Sequence, residues 1–134
     1  LPNQFKVRLY FLQGKLVGFQ SAMSCGDVIE AHVIGLDYSV NREYALYQRI
    51  LYDYVDIAIA VRCRRIVFGR TAAEIKSTIG AFPVDLTCCV LHRRVVSNAL
   101  LSLILQYIKP SEYPQREPWK AETMAKLKDI PLYD

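Results

Sequence analysis

Three stretches decide the fold: Glu30-Ala31-His32-Val33-Ile34-Gly35-Leu36, then the long apolar run over 42–61, then Arg65-Ile66-Val67-Phe68. The first reads as a strand and closes on Asp37-Tyr38-Ser39. The second places Tyr47, Leu51, Tyr54, Val55 and Ala58 at three- and four-residue spacing, with Ile50, Ile57 and Val61 widening the stripe. That period predicts a helix whose wide apolar face packs on a sheet. The third stretch reads as another short strand. Strand, long helix and strand make a βαβ crossover, which sets the two strands parallel in one sheet. A polar turn follows over 69–81, with a short helix expected over 72–78. Open α/β sheets hold their ligands outside the carboxyl ends of such strands. Those ends here are Asp37-Tyr38-Ser39 and Gly69-Arg70-Thr71.

Upstream, residues 5–12 alternate, with Phe5, Val7, Leu9 and Phe11 on one face and Lys6, Arg8, Tyr10 and Leu12 on the other. Such a strand turns one face to a core. Gln13-Gly14 is a tight turn, and 15–24 returns as the second half of a hairpin. After Cys25-Gly26-Asp27, residues 28–36 add a third antiparallel strand. Asn41 or Ser39 caps the start of the long helix, and Arg42, Glu43, Gln48, Arg49, Asp53 and Asp56 form its narrow polar face. Downstream, 84–91 reads as a last strand, apolar around Cys88 and Cys89 as a strand buried on both faces is. Residues 94–108 form a strongly apolar helix, 111–118 a Pro-rich linker, 119–128 a short charged helix and 130–133 a tail. The expected class is thus α+β, a mixed sheet of hairpin strands plus a crossover, with C-terminal helices. One domain spans 1–110, with the linker and tail over 111–134.

With 134 residues, 52% of them hydrophobic, the chain suffices for one domain with a substantial core. It opens at Leu1 and runs straight into a strand, and is expected to be the C-terminal part of a longer protein. A net charge of +4 suits an anionic ligand and falls far short of a dedicated nucleic-acid binder. The four cysteines form no Cys-x-x-Cys pair and have no His cluster beside them. The expectation is no metal, with free and mostly buried thiols in a reducing, cytoplasmic compartment. The apolar runs are broken by charge well short of a membrane span.

Arg70, Thr71, Glu74, Lys76 and Ser77 are the sharpest candidates for binding. Two cations around a short helix, with Thr71 as a cap, suit a phosphate or carboxylate; alternatively Arg70 pairs with Glu74 and fixes the turn. Asp37 and Tyr38 are candidates for a general base and a general acid in acyl transfer to an amine, against a helix cap and a packed ring. Glu30 and His32 share a strand face, where His32 is a candidate base or a half-buried, hydrogen-bonded imidazole. Cys88, Cys89 and His92 read as core packing rather than a nucleophile and its base. Arg62, Arg64 and Arg65 suit the negative end of the helix dipole.

The order of hairpin, third strand, long helix, strand, polar turn and last strand resembles the Gcn5-related N-acetyltransferase (GNAT) fold without its first strand and helices. Leu46-Tyr47-Gln48-Arg49-Ile50-Leu51-Tyr52, Ala58 and Arg65-Ile66-Val67-Phe68-Gly69-Arg70, with Lys76 and Gly80-Ala81 after them, look like the FemAB and BioF2-like acyltransferase branch. The resemblance covers roughly residues 5–92. It implies a bacterial N-acyltransferase that takes an acyl-CoA or aminoacyl-tRNA donor and an amine acceptor, with acyl-CoA as donor rather than bound cofactor. It also implies completion by the missing N-terminal part of the same chain or by a homo-oligomer partner. At the position of the family's pyrophosphate loop stands Asp37-Tyr38-Ser39-Val40-Asn41-Arg42-Glu43, which has no glycine. That departure leaves a second expectation, a non-catalytic recognition module for a cell-wall or polysaccharide fragment or a protein partner.

Overall fold

Residues 5–36 fold as three antiparallel strands joined by tight turns in a computed structural model that describes residues 4–109 and 114–128. β1 (Phe5–Leu12) pairs with β2 (Lys15–Cys25), and β2 with β3 (Val28–Leu36). In the first turn Gln13 and Gly14 take φ of 49° and 79°, the two left-handed residues that a two-residue hairpin loop requires. From β3 the chain passes through α1 (Tyr38–Tyr44) and α2 (Leu46–Ala60) to β4 (Arg65–Val67). β4 lies parallel to β3, with Ile29 opposite Ile66. The crossover is therefore present, and the four strands stand in the order β1-β2-β3-β4. Among the described residues three further helices follow, α3 (Ala73–Ser77), α4 (Val95–Leu105) and α5 (Ala121–Lys128).

The expected helix over 42–61 is two helices. Ala45 sits between them in the left-handed region, φ 47° and ψ 41°, and breaks the ladder. Each piece has its own cap: the Asp37 carboxylate accepts from Ser39 N at 3.0 Å, and the Asn41 carbonyl accepts from Tyr47 N at 2.8 Å. α2 lies across one face of the sheet. Ile50, Tyr54, Ile57 and Ala58 bury themselves there against Val17, Ala22 and Ile29, with Tyr10, Leu12, Ile34 and Phe68 at the margin. Tyr54 is fully buried; its hydroxyl donates to Ser21 O at 2.8 Å. Burial pushes its phenol up to about 12.

β1 turns one face to the core as expected, but the face is that of Arg8, Tyr10 and Leu12. Asp53 explains why. It falls on the expected polar face of the helix, yet it is 2% exposed. The Tyr10 hydroxyl donates to Oδ2 at 2.7 Å. Arg8 and Arg49 meet Oδ1 at 2.9 and 3.1 Å as ion pairs. A buried carboxylate needs such partners, and the polar face of β1 supplies them.

The other face of the sheet is bare. Phe5, Val7, Leu9, Phe11, Leu16, Phe19, Val33 and Val67 are all exposed by more than a third. Phe19 lies over Gly35, where a Cβ would collide with its ring. α4 is equally uncovered: Val95, Val96, Leu100, Leu103 and Ile104 stand exposed.

Two expectations fail here. Residues 84–91 form no strand and are exposed. β4 pairs over three residues only, too short an edge to register an eight-residue strand. The thiols are free, but Cys25, Cys88 and Cys89 are exposed and only Cys63 is partly covered, because the stretch meant to bury the last pair is not in the sheet. Of the linker over 111–118, residues 111–113 lie outside the described residues, and so does the tail at 130–133.

Candidate functional site

The polar turn after β4 is built around one buried cation. Lys76 is 6% exposed, and its ammonium donates to Phe68 O at 2.5 Å, to Gly69 O at 3.3 Å and to Thr71 O. Those carbonyls flank a bend that no sheet partner satisfies, so the lysine does the work of a ladder. Burial pulls its pKa below the ordinary lysine range. Ser77 is also buried; its hydroxyl donates to Glu74 O at 2.6 Å and accepts from Arg116 N at 2.9 Å. Glu74 pairs with Arg116 at 2.9 Å rather than with Arg70. Arg70 and Thr71 are exposed on the outside of the bend.

Residues 115–119 fold back over α3. Gln115 Nε2 donates to Ala81 O at 3.0 Å. The Trp119 indole rests on Gly80, φ 85°, where a Cβ would collide with the ring. Between this strap and α3 lies a shallow cavity of about 770 Å³, lined by Glu74, Ile75, Thr78, Arg116 and Pro118. It stands beyond the end of β4, the side of the sheet on which a crossover holds its ligands. Arg116, Gln115 and Trp119 gave no sign in the sequence, because they reach α3 and Gly80-Ala81 from roughly forty residues away. Gly80 was the one local hint.

The candidate proton-transfer groups go elsewhere. Asp37 caps α1, taking Ser39 N and Ser39 Oγ and facing Lys15 at 3.4 Å. Those Ser39 bonds, more than Lys15, hold its carboxyl below the ordinary range, which makes it a weaker base. The Tyr38 ring is 80% exposed rather than packed. His32 projects from the bare face of the sheet, 3.3 Å from Ser21 Oγ and edge-on to Phe5. It sits in a bulge where His32 and Val33 together oppose Ser21, whose hydroxyl replaces the lost ladder bond by accepting from Val33 N at 3.1 Å. Glu30 is exposed on the same strand. Thus α3 gathers Glu74, Lys76 and Ser77, while Asp37 and Tyr38 stand at the start of α1 and His32 on the opposite face.

The fit to a coenzyme A pyrophosphate is poor. Such a group docks on free amides at a helix start. At the matching position the Asp37 carboxylate already takes the Ser39 amide, and its charge repels an anion.

Comparison with protein-family models, with curated proteins and with solved structures finds no match to this chain. Among the described residues no helix is long and apolar enough to cross a membrane, and no group of three or more His, Cys, Asp or Glu side chains is placed to hold a metal ion.

Proposed function

We propose that this chain is a non-catalytic binding module whose recognition surface is the bare face of its sheet, and that its first partner is a second copy of itself. The observation that carries this reading is a mismatch within one chain. Eight large apolar side chains line an uncovered sheet face, and the apolar helix α4 stands uncovered as well. An apolar face of this kind marks an interaction site. A helix on a sheet is the usual way to cover both at once. In the proposed dimer α4 of each copy lies on the sheet of the other, an exchange that identical chains make at low cost.

The test uses two variants, Leu9→Lys on the sheet face and Leu100→Lys on α4. Each is expected to be monomeric alone by light scattering, because a buried unpaired lysine is costly. Mixed, the two have one intact sheet and one intact helix between them and are expected to form a weaker mixed dimer. Mixtures that stay monomeric while the unsubstituted chain dimerises would mean that the copies do not exchange helices.

A second reading, N-acyl transfer by a GNAT-like domain, is favoured by one observation: the cavity beyond β4 stands where α/β sheets hold ligands. On that reading Arg116 in the cavity wall and Arg70, exposed outside that lining, hold an anionic donor, acyl-CoA or aminoacyl-tRNA. Its test is thermal unfolding with coenzyme A and acetyl-CoA. A ligand at a hundredfold excess over its Kd adds about 2.7 kcal/mol of stability. A rise that Arg70→Ala removes supports acyl transfer; no rise counts against the coenzyme A form of this reading.

A further inference from the structure

On the helix side of the sheet, away from the polar turn, β1, β2 and the second half of α2 enclose a cavity of about 490 Å³. Lys6, Arg8, Gln20, Asp56, Ile57 and Ala60 line it. Gln20 is the unusual member. It is 1% exposed, and neither its amide oxygen nor its amide nitrogen has a hydrogen-bond partner. A buried amide left wholly unpaired is rare in folded proteins and costly. It marks a place where a partner belongs. Nearby, Lys6 on β1 and Asp56 on α2 are exposed, and they do not pair with one another among the described residues. Arg8, by contrast, is engaged by Asp53 at 2.9 Å.

We propose that this cavity binds a short peptide with free ends, two or three residues long. A glutamine amide presents one acceptor and two donors side by side. A single trans peptide group cannot answer both, because its N–H and C=O point in opposite directions. One residue of an extended peptide can, since its own N–H and C=O point to the same side. That residue's N–H would donate to Gln20 Oε1, and its C=O would accept from Gln20 Nε2. The two unpaired charges then meet the peptide's ends, the carboxylate at Lys6 and the ammonium at Asp56. At about 3.3 Å per extended residue, a tripeptide is about 10 Å long. Pockets in this size range are the usual hosts of small ligands. Both amide atoms of Gln20 are shut off from solvent in the free chain, so the peptide pairs with them by drawing the amide outward into the cavity that Gln20 lines. The site lies on the helix side of the sheet and shares Val7 alone with the proposed dimer face, and neither proposal depends on the other.

The test is nuclear magnetic resonance of the full chain titrated with trialanine, reading the side-chain NH₂ signals of Gln20. They are expected to shift with saturation, together with backbone signals near Lys6 and Asp56. N-acetyl-trialanine and trialanine amide, each lacking one charged end, are expected to bind a few-fold more weakly, as exposed ion pairs are worth about 0.2–1 kcal/mol. Gln20→Leu is expected to abolish the backbone shifts near Lys6 and Asp56 while the fold keeps or gains stability, since an unpaired amide is removed. Should the variant fail to fold, the titration of the unsubstituted chain still decides. Absence of any Gln20 shift overturns the proposal. Blocked peptides that bind as tightly as trialanine overturn the assignment of Lys6 and Asp56, and backbone shifts near Lys6 and Asp56 that persist unchanged in Gln20→Leu overturn the site.

Discussion

Lys76 looks in the sequence like half of an anion clamp with Arg70. In the fold its three N–H groups are spent on the carbonyls of Phe68, Gly69 and Thr71. Replacing it with Met keeps much of the stem but leaves three oxygens without their donor. Lys76→Met is expected to lower stability by about 2 kcal/mol, read as an earlier urea midpoint, with Arg70→Ala close to neutral. A Lys76→Met variant as stable as the parent would show that the carbonyls find other partners and that the lysine is free for a ligand. The positions of Asp53 and Gln20 were illegible for a related reason. Period counting assigns a polar residue to the solvent side of its element, and only the neighbouring strand reveals that Arg8 and Tyr10 reach across to Asp53. Asp37, on the other hand, could be read: an Asp just before a helical run is a cap by local chemistry alone, and one of its two readings was that cap.

At the scale of elements, what was legible was local. The strands of the hairpin, the third strand, the helical period of the crossover and the short helix after β4 each carry their signal in the spacing of their own residues. The split of the long helix at Ala45 carried none. An alanine is the best helix former, yet here it takes a left-handed conformation, since the chain must leave β3 capped by Asp37 and then turn to lay α2 on the sheet. A left-handed alanine is strained by roughly 1 kcal/mol or more, and glycine is not. Ala45→Gly is therefore expected to leave stability unchanged or raise it by up to about 1 kcal/mol, after the entropy that glycine loses on folding. A clear loss in the urea midpoint would mean that a continuous helix forms over 38–60. The strand over 84–91 failed for the converse reason. Its composition suits a buried strand, but a strand needs an edge to pair with, and edge length lies in β4 rather than in the stretch itself.

Over the whole molecule, the apolar content of the sequence was read as a core, and roughly half of that reading holds. One sheet face and one side of α2 form the core around Tyr54. Other apolar residues line the opposite face and α4, and more stand exposed over 84–91. Hydrophobic alternation tells that a strand has an apolar side; it does not tell whether this chain or another covers it. The resemblance to acyltransferases led to the end of β4, where there is a cavity. The groups that would move protons are instead spread over a helix cap and the opposite sheet face, and this dispersal is what turns the proposal from catalysis to binding. The most direct measurement is the solution mass of the unsubstituted chain by sedimentation velocity across a range of concentrations. A species at twice the 15.4 kDa of one chain, lost in Leu9→Lys, is the expected result. A well-folded monomer at every concentration would contradict the proposed exchange and leave the bare face without its partner.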